Sequence, residues 1–213
     1  MSDKPENTTL QSPLIRYSIC VSGAASGKTI DESSRLAKRL GSSIARRGHV
    51  TVTGATVGLP YYAARGAKES GGMSIGYSPA ATIREHARKY RLPLDAFDYI
   101  YYTGMHYMGR DLSMVQSCDA IVTVGGRFGT LNEFIIALEE RKPIGILNES
   151  GGASEIISEL LKVLESPGGE LVMFDDNPEN LIHRIVTHLD RQSADLHADL
   201  ANMHRLMNAK HKG

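Results

Sequence analysis

The chain of 213 residues is expected to fold as a doubly wound α/β domain, a mostly parallel sheet of about seven strands with helices on both faces. Three observations predict it. Short, nearly unbroken apolar runs alternate with segments of helical period, as strands covered on both faces do. Glycine-rich turns join the two kinds of segment. A chain of this length, 41% hydrophobic, is also long enough to bury one well-formed core.

The elements follow in order. Tyr17–Val21 is a β-rich run that leads into a Gly/Ser loop. Over Ile30–Arg47 the apolar residues Leu36, Leu40 and Ile44 recur at every fourth position, one face of a helix, and Gly48 ends it. His49–Thr53 reads as a strand, Pro60–Ser70 as a helix and Met73–Tyr77 as a strand. The polar, basic stretch Thr82–Arg91 predicts a short helix and loop, with Arg84, Arg88, Lys89 and Arg91 forming a basic run of the kind usually found on a solvated face. Tyr99–Tyr102 is a strand, Gly109–Ser117 a helix, Ala120–Val124 an apolar strand and Gly129–Glu140 a helix with Leu131, Phe134, Ile135 and Leu138 inward. Ile144–Leu147, Glu155–Glu165, Leu171–Phe174 and Pro178–Asp190 complete two more strand–helix pairs. Residues 1–13, polar and carrying two prolines, are expected to be a disordered arm, 14–190 a single domain, and 191–213 a helical tail with a Leu196, Leu200, Met203, Met207 stripe.

Composition excludes several classes of function. Lys and Arg number 24 against 24 Asp and Glu, so the chain lacks the basic field that nucleic-acid binding needs. A small anion remains open to it, because a few backbone amides can hold a phosphate. Cys20 and Cys118 stand far apart with no CxxC, which suggests neither a zinc site nor a disulfide scaffold, and both read as packed thiols. His197, His204 and His211 recur at seven residues, too far apart along a helix to converge on a metal, and no metal or cofactor is expected. No apolar run could cross a bilayer and the first residues lack a signal sequence, so a soluble cytoplasmic protein is expected.

In a doubly wound sheet ligands bind beyond the carboxyl ends of the strands, at the point where strand order reverses. The loops expected there are Ser22–Thr29, Gly54–Leu59, Thr103–Arg110 and Gly125–Thr130, all containing glycine. The first resembles a phosphate-cradling P-loop, but Gly23 and Gly27 enclose one residue too few, so Lys28 is not assigned to a triphosphate. Ser22 and Gly23 then belong either to an anion-binding turn or to a plain connection. The last loop lacks the glycine spacing of a dinucleotide fingerprint and no acidic residue ends the next strand.

The strongest signal is Ile121-Val-Thr-Val-Gly-Gly-Arg-Phe-Gly-Thr-Leu-Asn-Glu133, a strand running through a glycine turn directly into a helix. Free amides at Gly129 and Thr130, with the Thr130 hydroxyl, suit a phosphate group. Glu133 stands three residues beyond Thr130, which is capping-box spacing; either it closes that box or it faces the ligand from the first helical turn. The adjoining glycines, which let a ligand approach the backbone, favour the second reading.

These residues resemble the PGGxGTxxE signature of the LOG-type phosphoribohydrolases, a family with a Rossmann-like fold long labelled lysine decarboxylases. The resemblance maps Gly126, Gly129, Thr130 and Glu133 onto the signature and Arg110, with Met105-His106 upstream, onto the family's MHxRK arginine. It extends through Thr53-Gly-Ala-Thr-Val-Gly-Leu59, similar to a GGGxxGLM stretch that includes Gly54, and covers roughly residues 16–147. It implies binding of an AMP-like nucleotide, hydrolysis of the bond between base and ribose 5-phosphate, and a homodimer. Gly125 stands where the signature has proline, Arg127 where it has glycine, and Asp111 where the family has lysine. With Asn132, the turn is similar to that of molybdenum cofactor carrier proteins, which implies as the alternative a non-catalytic binder of a phosphorylated cofactor.

Cleaving an N-glycosidic bond develops a ribosyl cation, so the site needs negative charge near the anomeric carbon and a positioned water. Glu133 and Arg110 are the expected catalytic residues, and Gly125, Gly126, Arg127, Gly129, Thr130, Gly54, Gly23 and Ser22 the expected phosphate or nucleotide contacts. The helix dipole would favour ionised Glu133, an electrostatic stabiliser rather than an acid, which leaves no evident acid for the departing base. Arg110, if not orienting Glu133, reads as a solvated helix-start arginine paired with Asp111. His106 reads as a loop histidine near the site.

Overall fold

The computed structural model describes residues 15–163 and 169–210. The arm expected over 1–13, the end of the helix expected at Glu165, and the tail side chains from His204 onward lie outside the described residues. Seven strands form one parallel sheet: β1 (Ser18–Gly23), β2 (Val50–Thr53), β3 (Met73–Ser78), β4 (Tyr99–Tyr102), β5 (Ala120–Val124), β6 (Ile144–Leu147) and β7 (Val172–Asp175). Their spatial order is β4-β3-β2-β1-β5-β6-β7, so the chain winds outward from β1 to one edge and then returns to start again at β5. The β1/β5 seam is where the crossovers diverge and a crevice must open. Its register pairs Ile19 with Ala120 and Gly23 with Val124.

The connecting helices are α1 (Thr29–Arg46), α2 (Leu59–Glu69), α3 (His106–Ser117), α4 (Phe128–Glu139), α5 (Ala153–Val163), α6 (Pro178–Gln192) and α7 (Ala194–Lys210). Strand side chains alternate between two cores, one per face. Ile19, Val21, Val122 and Leu147 meet Leu40, Ile44, Leu59, Leu181 and Ile185 of α1, α2 and α6. Cys20, Ile121, Ile144 and Ile146 meet Met114, Phe134 and Ile157 of α3, α4 and α5. The helices α1 and α2 touch backbone to backbone: a Cβ on Gly41 would lie 1.9 Å from the Ala63 carbonyl oxygen, and one on Gly66 2.0 Å from that of Lys38.

Four differences from the sequence expectation bear on the site. Strand β1 runs two residues past Val21, so Ser22 and Gly23 are paired strand residues opposite Thr123 and Val124 rather than loop residues. Helix α3 begins at His106, not Gly109; the chain enters it with His106 at φ 55°, and Gly109 is an interior residue packed on Met105. Helix α4 begins one residue before Gly129, at Phe128. The helix expected within Thr82–Arg91 is a five-residue π-helical turn, Glu85–Lys89, with buried His86 tied to Ser78 and to the Pro93 carbonyl.

Candidate functional site

A cavity of about 350 Å³ opens at the carboxyl ends of β1 and β2. Its walls are the end of β1 with the following loop, the β2–α2 loop, the start of α3 and the start of α4. Of the expected contacts, Ser22, Gly23, Gly54, Arg127, Gly129 and Thr130 line it, together with Arg110 and Glu133.

Gly125 and Gly126 lie behind the wall rather than on it. Both have positive φ, 58° and 109°, which makes the tight exit from β5. The β6–α5 connection holds them from behind: Ser150 Oγ accepts from the Gly125 amide at 2.7 Å, and the Gly126 carbonyl accepts from the Ala153 amide at 3.0 Å. This anchoring fixes where α4 starts. Arg127 is its N-cap, without a side-chain cap bond, and donates from Nη1 to Ser26 Oγ at 2.9 Å across the mouth. A Cβ on Gly129 would meet nothing within 4 Å, so the backbone there is open to the cavity. The first amides of a helix have no partner within it.

Glu133 forms no capping box. It lies in the second turn of α4, and its carboxylate accepts a hydrogen bond from Ser22 Oγ on the opposite wall. Nor does the helix dipole keep it ionised. The residue is 8% exposed, and burial pushes the carboxyl up to about 7, opposed by the Arg110 charge and reinforced by Asp111. Near neutral pH the protonated form of Glu133 is therefore well populated.

Arg110 is buried, not solvated. Its guanidinium occupies the space over Gly54, where a Cβ would lie 1.6 Å from Nη1, and it donates from Nη1 to the Tyr77 carbonyl at 3.4 Å. Gly54 is thus required by the arginine before any ligand arrives. The Tyr107 ring stands beside the guanidinium, with its centroid 5.8 Å from Cζ. Arg110 does pair with Asp111, Nε to Oδ1 at 3.0 Å, but inside the protein, and the N–H does not point at the oxygen. Asp111 Oδ2 accepts from Asn132 Nδ2 at 3.2 Å. Burial raises the Asp111 carboxyl as well, against the Arg110 charge.

Sequence reasoning named Asp111 as a departure from a motif and as the partner of a solvated Arg110, and did not single out Tyr107, Met108, Thr56 and Ser26 on the cavity wall. Starting α3 at Gly109 left Tyr107 and Met108 in a loop. His106 is exposed and its Nδ1 meets the Tyr90 hydroxyl at 2.8 Å, outside the cavity lining. Cys20 and Cys118 are buried free thiols. The neighbouring Cys118 thiol, and burial after it, push the Cys20 thiol up and hold it neutral. Among the described residues no group of three or more His, Cys, Asp or Glu side chains is arranged to hold a metal ion, and no helix is long and apolar enough to cross a membrane.

A glycine-turned helix start at the seam of a parallel Rossmann-like sheet, with an Arg–Glu pair facing it, defines a class of LOG-like α/β proteins. The chain belongs to the SLOG cluster4 family, whose sequence profile matches residues 16–182. An uncharacterized protein of Archaeoglobus fulgidus is 34% identical over 141 residues, which are 66% of this chain and 84% of that one. Two solved structures are similar over most of the chain. The molybdenum cofactor binding protein of Rippkaea orientalis is 29% identical, with a TM-score of 0.68 over 83% of this chain and 99% of that one. The molybdenum cofactor carrier protein of Chlamydomonas reinhardtii is 28% identical, with a TM-score of 0.67 over 82% and 99%.

Proposed function

We propose that the cavity binds a small phosphorylated ligand, an AMP-like nucleotide or a phosphorylated cofactor. The observation that carries this reading is the start of α4, where Arg127, Gly129 and Thr130 line the cavity with the helix's unpaired amides behind them. The similarity to molybdenum cofactor carriers supports it. In a neutral chain the positive charge is then local: Arg127 at the mouth and Arg110 within. Calorimetry with AMP and with adenosine tests the phosphate requirement, AMP binding at least tenfold more tightly. Arg127→Ala is expected to weaken AMP about tenfold through loss of a charge-assisted bond. No measurable binding by nucleoside monophosphates or by a pterin monophosphate would sink the reading.

A second reading, hydrolysis of a nucleoside 5′-monophosphate to free base and ribose 5-phosphate, is favoured by the proton on Glu133. A carboxyl that titrates near 7 can protonate a departing base and, once ionised, offset the ribosyl cation. Arg110 would orient it. Free base released by the wild type and abolished in Glu133→Ala, with binding retained, supports hydrolysis; binding without turnover leaves a carrier.

We further infer a cytoplasmic homodimer. The charged residues of α3 are Arg110 and Asp111, both turned inward, while Met105, Met108 and Leu112 are exposed. The adjoining α4 exposes Phe128 and Ile135, the latter expected to face inward, turns Glu133 inward, and carries its exposed charge at its last residue, Glu139. A surface helix normally carries charge on its outer face, and an apolar outer face marks an interface. Light scattering should give twice 23.2 kDa, and Leu112→Asp should give the monomer. A monomeric wild type contradicts the inference.

A further inference from the structure

We propose that Asp111 is a positioning residue for Glu133: the two buried carboxyls hold one proton between them, so that Glu133 meets the ligand as an acid. The inference rests on reading the cavity as the ligand site, and it supplies the acid that the Arg–Glu pair alone lacks.

The argument is first one of charge. Asp111 and Glu133 are 3% and 8% exposed, and their side chains lie within hydrogen-bonding reach of each other. The groups that face them are Arg110 from α3, Ser22 and Cys20 from β1, and Asn132 from α4 itself. Of these Arg110 alone is a cation, and the Cys20 thiol is neutral. One guanidinium cannot neutralise two carboxylates this deeply buried, and an uncompensated buried charge takes up a proton instead.

The second argument is one of hydrogen bonds. Asp111 Oδ1 is buried and has no hydrogen-bond partner, because the Arg110 N–H beside it is misdirected. A proton between the two carboxyls gives Asp111 the donor that it lacks. The surroundings are arranged to fix which carboxyl faces the cavity: Asn132 ties down Asp111, and Ser22 holds Glu133 at the cavity wall. A lysine in place of Asp111 would supply a second cation and leave Glu133 ionised.

Carboxyl-carbon NMR of the ligand-free protein, labelled at Asp and Glu, tests the proposal. In the wild type the Asp111 and Glu133 resonances should each show two inflections, the mark of coupled sites. Asp111→Asn removes a negative charge and adds a donor, and should lower the Glu133 midpoint by about one pH unit or more. Asp111→Glu should restore the coupled curve. A merely structural Asp111 would lower the melting temperature and leave the Glu133 midpoint where it was. Independent single-step curves in the wild type, or an unmoved midpoint in Asp111→Asn, overturn the proposal; the wild-type curves suffice if the variant does not fold. Because these titrations use no ligand, a shifted midpoint in a protein that binds neither a nucleoside monophosphate nor a pterin monophosphate would sink the ligand reading and leave the shared proton standing.

Discussion

Replacing Gly41 with valine is expected to lower stability by about 4 kcal/mol, enough to leave a typical domain largely unfolded on mild heating. At this position a Cβ would stand 1.9 Å from the Ala63 carbonyl oxygen and 2.7 Å from its carbon. An obstructing side chain could rotate away, whereas a peptide group inside helix α2 cannot. The helices must therefore separate, which opens voids around Leu40 and Ala63 in the core beneath them. Ordinary overpacking costs about 1–3 kcal/mol, and loss of the helix contact adds to it. Gly129→Ala is the control, since a Cβ there meets no atom within 4 Å, and it should change stability by no more than about 0.5 kcal/mol. Urea unfolding of the three proteins decides the matter. A valine variant within about 1 kcal/mol of the wild type would mean that α1 and α2 do not cross as described.

Gly41 also shows which parts of the fold could be read from the chain. The spacing of Leu36, Leu40 and Ile44 marks α1 as a helix, because apolar period is a local property. That Gly41 sits at a crossing depends on α2, whose partner glycine is Gly66, and no local pattern links the two. The strands were legible for the same reason as α1, being short apolar runs between glycine turns. Their ends were less so: Ser22 and Gly23 read as loop because serine and glycine are turn residues, yet pairing with Thr123 and Val124 continues the strand through them.

At the site, Arg127, Gly129, Thr130 and Glu133 were visible as one motif at a helix start, where backbone physics demands a partner. The environment of the acid was not. Sequence neighbours Arg110 and Asp111 look like a solvated ion pair. They are buried because Gly54, on another loop, leaves room for the guanidinium. The helix dipole was expected to hold Glu133 ionised, but that field weakens beyond the first turn, and Glu133 lies in the second. Burial is the larger effect, and it acts in the opposite direction.

That reversal has a consequence for the whole molecule, expected most clearly in Glu133→Gln. The Glu133 carboxyl keeps its proton up to about 7 in the folded protein, against an ordinary 4.5 once unfolded. Between those values the native state binds more protons than the unfolded chain, so stability falls as pH rises, by up to about 1.4 kcal/mol per unit. The contribution is complete below the ordinary carboxylate range and is lost as pH rises through 7, a change on the order of 3 kcal/mol. Asp98, Glu69 and Glu179 shift the other way and weaken the fold only in acid, equally in both proteins. The glutamine variant cannot ionise, yet its amide oxygen can still accept from Ser22. It also leaves Asp111 alone with Arg110, one carboxylate to one guanidinium. Glu133→Gln should thus match the wild type near pH 4.5 and exceed it at pH 8 by about 2–3 kcal/mol, read from urea unfolding at each pH. A variant no more stable than the wild type at pH 8 would show that Glu133 is ionised at little cost. Natural proteins sacrifice stability where a site requires it, and a glutamate that weakens the fold across neutral pH fits the proposed ligand site.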